Sequence, residues 1–144
     1  MKGELRAPLL RMLLLVVPLA LAVSGCGDST DPITIPTPIE VTESFSGTVA
    51  QGGVSYHVVL ARVGTVTLTM KAIGPDSSAT VGMSVGVLNS IACTAVMDNP
   101  TARVGSELVG SATGATTLCV KLYDAGTLAL DQTLSYEIAI KYIK

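Results

Sequence analysis

The stretch TVTLTMKA, Thr65–Ala72, decides the fold class. Val66, Leu68, Met70 and Ala72 fall on one side; Thr65, Thr67, Thr69 and Lys71 fall on the other. A period of two residues places one row in a core and the other in water, which is the pattern of a half-buried strand. The β-branched threonines and valines suit a pleated surface. The threonine row reads as the outer, wetted face of a sheet.

The same alternation recurs outward from this stretch in both directions. Leu134–Ile143 aligns Leu134, Tyr136, Ile138, Ile140 and Tyr142. Val54–Leu60 aligns Val54, Tyr56, Val58 and Leu60, and its parity turns His57 outward. Val81–Val87 aligns Val81, Met83, Val85 and Val87 opposite Gly82, Ser84 and Gly86; Thr117–Tyr123 aligns Leu118, Val120 and Leu122. Phe45–Val49, Ala92–Met97 and Glu107–Ala112 are shorter candidates. Turn residues separate these runs at Gln51-Gly52-Gly53, Val63-Gly64, Gly74-Pro75-Asp76, Asn89-Ser90, Asp98-Asn99-Pro100 and Asp124-Ala125-Gly126. About eight short strands at this spacing predict an all-β, antiparallel two-sheet sandwich over residues 42–144.

Ser46-Gly47-Thr48-Val49 with Gly52-Gly53-Val54-Ser55-Tyr56, then Gly64-Thr65-Val66-Thr67-Leu68, Thr117–Tyr123 and Leu134-Ser135-Tyr136-Glu137-Ile138, resemble in turn the opening, the next hairpin, the late strand and the closing strand of the bacterial pre-peptidase C-terminal domain. Domains of that family are appended to secreted hydrolases. The resemblance implies a jelly-roll-like sandwich and assigns it no activity.

The N-terminal segment reads as an address. Lys2, Arg6 and Arg11 precede Met12–Val23, an apolar run of 12 residues interrupted by Pro18. A membrane-spanning helix needs about 20 such residues, so residues 1–25 read as a secretory signal peptide. Val23-Ser24-Gly25-Cys26 resembles a bacterial lipobox. That resemblance implies cleavage before Cys26 and lipid attachment there, palmitate among the chains. Residues 26–41, with Pro32, Pro36 and Pro38, then read as an extended tether. Gly27, rather than an aspartate, follows the cysteine. By the sorting rule of proteobacterial lipoproteins, this implies the outer membrane where the organism has one.

Composition narrows the chemistry. The chain has 144 residues, 49% hydrophobic and 14% charged, with 9 basic and 11 acidic side chains. Removing the signal leaves 6 basic and 10 acidic residues. No cationic surplus exists to neutralise phosphates, which argues against nucleic acid as a partner. Two cysteines remain after Cys26, and in an oxidising compartment Cys93 and Cys119 are expected to form a disulfide. Parity turns Cys119 away from Leu118, Val120 and Leu122, towards the side of Lys121 and Tyr123.

Candidate catalysts are few. His57 is the single histidine, and no nucleophile-elbow motif accompanies it. No catalytic residue, metal ligand set or cofactor is expected. Asp76, Asp98, Asp124 and Asp131 fall in expected loops, where aspartates serve turns more often than calcium. Sugar recognition needs exposed aromatic rings. Tyr123 is the expected exposed one, since Tyr56, Tyr136 and Tyr142 fall in apolar registers. The expected function is a non-enzymatic envelope lipoprotein, anchored through its N-terminal lipid. Its sandwich would serve as an accessory or interaction domain for an envelope protein or polysaccharide. The alternative is a ligand-binding module for polysaccharide or calcium.

Overall fold

A computed structural model describes residues 37–144; the expected signal peptide, Cys26 and residues 27–36 of the expected tether lie outside the described residues. The strands are β1 (Glu40–Ala50), β2 (Val54–Ala61), β3 (Gly64–Gly74), β4 (Val81–Asn89), β5 (Ala92–Ala102), β6 (Glu107–Ala112), β7 (Thr116–Tyr123) and β8 (Thr133–Ile143). They form two four-stranded antiparallel sheets, in the orders β1-β8-β3-β6 and β2-β7-β4-β5. We term these sheets A and B. The pairs β1·β8, β2·β7, β3·β6 and β4·β5 are all antiparallel. The first half of the chain thus runs against the second half, strand for strand, and the double ribbon wraps into a jelly roll. The expected all-β, jelly-roll-like sandwich of eight strands is the fold observed.

The core lies between the sheets. Sheet A contributes Val66, Leu68, Met70, Leu134, Ile138, Ile140 and Tyr142, and sheet B contributes Val81, Met83, Val85, Val120 and Leu122, all buried. These are the rows that alternation picked out in β3, β8, β4 and β7.

Three expectations need correction. Ala72 does not continue the row of Val66, Leu68 and Met70. The β3·β8 register slips between Met70 and Ala72, so Lys71 and Ala72 both face solvent and Ile73 turns inward. Such a bulge adds one residue and reverses the parity beyond it. Asp98-Asn99-Pro100 is not a turn but part of β5. β5 is an edge strand, where proline is tolerated because one row of N–H groups has no partner to lose.

The third correction is β2. Val54, Tyr56, Val58 and Leu60 face outward at 49%, 54%, 51% and 68% exposure, while Ser55, His57, Val59 and Ala61 face the core. The register with β7 explains the inversion. Val59 lies opposite Leu118 and His57 opposite Val120. Directly opposed residues share a face, so the buried row of β7 fixes which row of β2 is buried.

Candidate functional site

The outer face of sheet B is built on small residues. Gly82, Ser84 and Gly86 of β4 alternate with the buried Val81, Met83 and Val85, leaving a trough between β7 and β5. Two bulky links span it. The Tyr123 ring lies over Gly82, where any Cβ would collide with it. The Tyr123 hydroxyl then reaches β5 and donates to Asp98, 2.8 Å from Oδ1 and 2.9 Å from Oδ2. Burial, with the Asp98 carboxylate beside it, pushes the Tyr123 phenol up to about 12. Lys121 Nζ sits 4.5 Å from the ring centroid. Four residues further along β7, Cys119 bonds to Cys93 with their Cα atoms 5.9 Å apart. This is the pairing read from the sequence, on the side of the strand expected. Ser84 lies between the two links, fully buried, with no hydrogen-bond partner for its hydroxyl among the described residues.

Beside this trough runs the outward row of β2. Val58 lies opposite Cys119, and Tyr56 lies opposite Lys121. At the β4–β5 turn, Ile91 stands 98% exposed. Tyr56, Val58, Leu88, Ile91 and the disulfide line one shallow cleft of about 280 Å³. Exposed apolar side chains gathered in one patch, unlike scattered ones, mark interaction sites. A separate opening of about 340 Å³ lies among Val85, Val96, Met97, Gly110 and Leu118. The Met97 thioether fills the space that a side chain at Gly110 would take.

The inward residues of β2 make a polar tie between the sheets. His57 Nε2 is 2.7 Å from Tyr136 Oη, which donates to Ser55 Oγ at 2.6 Å. The Phe45 ring stacks on His57 with centroids 4.7 Å apart. Gly47 makes room for the Tyr136 hydroxyl, which would meet a Cβ there at 2.5 Å. Burial lowers the His57 pKa below its usual value. The sequence expectation of an outward, freely exposed His57 is therefore corrected. The geometry serves cohesion: the phenol is already committed as donor to Ser55 and as acceptor towards His57.

The four aspartates do not converge. Asp76 caps Ser78, and Asp98 holds Tyr123. Asp131 occupies a left-handed turn position at φ 61°. Asp124 accepts backbone N–H groups from Gly52, Gly126, Thr127 and Leu128, and these bonds lower its pKa. Among the described residues no group of three or more His, Cys, Asp or Glu is placed to hold a metal ion. The exposed tyrosine is Tyr56, not Tyr123 as expected, because Tyr123 is laid down across β4.

No protein-family model matches the chain, and no curated protein matches it in sequence. Among solved structures it is similar to Aeromonas hydrophila PliG, a periplasmic lysozyme inhibitor of g-type lysozyme. The two share 15% identity and a TM-score of 0.50, covering 72% of this chain and 86% of that one. It is also similar to the Yersinia pseudotuberculosis-derived mitogen, at 12% identity and a TM-score of 0.53, covering 72% and 87%. At these identities the likeness is one of fold.

Proposed function

We propose that this chain is a non-enzymatic lipoprotein of the cell envelope, whose sandwich binds a protein partner through the outer face of sheet B. The observation that carries the reading is the apolar cleft formed by Tyr56, Val58, Leu88, Ile91 and the Cys93–Cys119 disulfide. Its floor is braced by the disulfide, so the apolar groups are held in place before a partner arrives, which lowers the entropic cost of binding. A fold shared with a periplasmic lysozyme inhibitor suits a binding role in that compartment. The lipobox-like Val23-Ser24-Gly25-Cys26 supports the anchor. A polysaccharide would want a second open ring beside Tyr56, and Tyr123 is tied to Asp98 instead.

A photo-crosslinking residue placed at Ile91 in the native envelope tests the surface. One discrete heterologous protein adduct is expected there, and none from the same residue at Thr67 on the outer face of sheet A. Equal labelling from both positions, or none from Ile91, removes the support for this face. For the anchor, Cys26→Ser is expected to leave the protein unprocessed or unanchored. A Cys26→Ser protein of normal mature mass in the membrane fraction refutes lipidation.

A further inference from the structure

On the side of the sandwich edged by β5 and β6, the side chains between the sheets shrink towards one end. The inward row of β6 is Leu108, Gly110 and Ala112, opposite Leu68, Val66 and Gly64 of β3. The inward row of β5 has Met97 opposite Val85, then an extra residue at Val96, then Thr94 opposite Val87. Beyond Leu108 and Met97, neither edge strand sends a large aliphatic side chain inward. The β6–β7 connection across that end, Thr113-Gly114-Ala115, is equally small. Packed sheets lie about 10 Å apart, a gap that small residues do not fill. The opening of about 340 Å³ is the result. Its walls include the buried Val66, Val85 and Leu118, so it reaches the core. The half-buried Met97 leans across it towards Gly110.

The lining selects the occupant. A held water needs two to four polar partners, and the residues at the core end are valines and a leucine. A sugar has the same need and also wants an aromatic platform, and no aromatic side chain lines the opening. An alkyl chain needs only methyl and methylene contacts, which valine, leucine and the adaptable methionine thioether supply. A cavity of about 150 Å³ takes benzene, so about 340 Å³ suits a chain of about ten carbons. Charge selects the head group. At Ala115 and Thr116 the opening adjoins a second cleft, which contains Arg62 and Lys144. Lys144 pairs with Glu43 at 3.3 Å, whereas Arg62, exposed, has no ion-pair partner among the described residues. No carboxylate of the described residues lines either space.

We infer that the opening between β5 and β6 binds a single-chain anionic amphiphile, a fatty acid or a lysolipid. Its tail lies between the sheets against Val66, Val85 and Leu118. Its head group sits at the Ala115–Thr116 rim, on the side of Arg62. Met97 is the adjustable wall, because an unbranched thioether side chain changes rotamer at little cost. This site uses the inner face of sheet B, whereas the cleft at Ile91 uses the outer face, so each stands or falls without the other.

The test uses the full chain taken from its envelope without detergent, since a detergent tail would compete. Decanoic acid carrying a diazirine midway along its chain is irradiated with the protein, and the adducts are mapped by mass spectrometry. Adducts are expected on Val85, Met97 or Leu118. Unlabelled decanoate, or a lysophosphatidylglycerol with a ten-carbon chain, is expected to suppress them, and the one that does so identifies the source. Gly110→Leu fills the space with the protein's own side chain and is expected to cut labelling by about 10-fold or more, with the circular dichroism spectrum unchanged. Arg62→Glu, at an exposed position outside the strands, is expected to weaken competition by decanoate by about 3- to 10-fold and to leave competition by decan-1-ol unchanged. Adducts spread over the outer faces overturn the proposal, as does labelling that persists in folded Gly110→Leu. Suppression by naphthalene but by neither amphiphile also overturns it, in favour of a flat aromatic occupant. Equal competition by decanoate in wild type and Arg62→Glu overturns the anionic head group.

Discussion

His57 Nε2 and Tyr136 Oη meet 2.7 Å apart across the gap between the sheets, and Tyr136 in turn donates to Ser55. Three polar groups that would each be costly to bury alone thereby satisfy one another. Tyr136→Phe keeps the ring and deletes the link, leaving His57 and Ser55 without it. Chemical denaturation is expected to show a loss of about 1–3 kcal/mol. An unchanged midpoint would mean that water replaces the phenol at no cost.

The same contact gives a pH dependence. Burial lowers the His57 pKa in the folded protein. The unfolded chain, with a pKa of about 6.5, therefore binds the proton first as pH falls. Stability is expected to be full above that value and to decline from it down through the folded pKa. His57→Gln is expected to flatten this part of the profile. A wild-type profile as flat as that of the variant between about pH 7 and 5 contradicts a histidine whose partial burial lowers its pKa.

Asp124 fastens the β1–β2 turn to the β7–β8 loop by accepting from Gly52 on one side and Gly126, Thr127 and Leu128 on the other. Asp124→Ala is expected to cost about 1–2 kcal/mol, as loss of a capping carboxylate does. Its pKa is lowered when folded. Its contribution is thus present above the unfolded value of about 3.9 and is lost as pH falls through the folded one. Thermal melts of wild type and Asp124→Ala should therefore converge in strong acid; a gap that widens there would be the wrong sign.

The disulfide closes a loop with a sequence separation of 26. In the chain-entropy model this contributes about 3–4 kcal/mol. Cys93→Ser with Cys119→Ser should lower stability by about that amount while leaving the far-ultraviolet spectrum all-β. If the native, unreduced protein instead yields two alkylatable thiols, the cross-link does not form.

Gly86 is needed because the backbone of Thr94 in β5 presses against it, leaving no room for a side chain. A backbone neighbour cannot swing aside as a side chain can. Gly86→Ala is expected to cost about 1–3 kcal/mol by overpacking and to loosen β5 in hydrogen exchange. Gly105→Ala is the informative control, because open space surrounds it, leaving only its left-handed φ of 86° as a source of strain.

All eight strands are legible in the sequence, because a period of two is a local property and the local residues carry it. The disulfide is legible too: with Cys26 expected to carry lipid, Cys93 and Cys119 are the one pair left to join, and they do. The side on which Cys119 lies follows from the parity of β7. Tyr56 and Val58 are legible as strand residues, but the side they face is not. β2 offers apolar residues at both parities, with Val54, Tyr56, Val58 and Leu60 on one and Val59 and Ala61 on the other. Its own pattern therefore could not choose a face, and the longer apolar row was the one left in solvent. The choice was made by β7, a strand more than fifty residues away in sequence, whose buried Leu118 and Val120 lie opposite Val59 and His57. The positions of Ala72 and Asp98 escape local pattern for the same kind of reason: a bulge and an edge position are properties of strand pairing. Local alternation thus determined which segments are strands. Only the pairing of distant strands decided which faces meet the core, because a face is shared between neighbours.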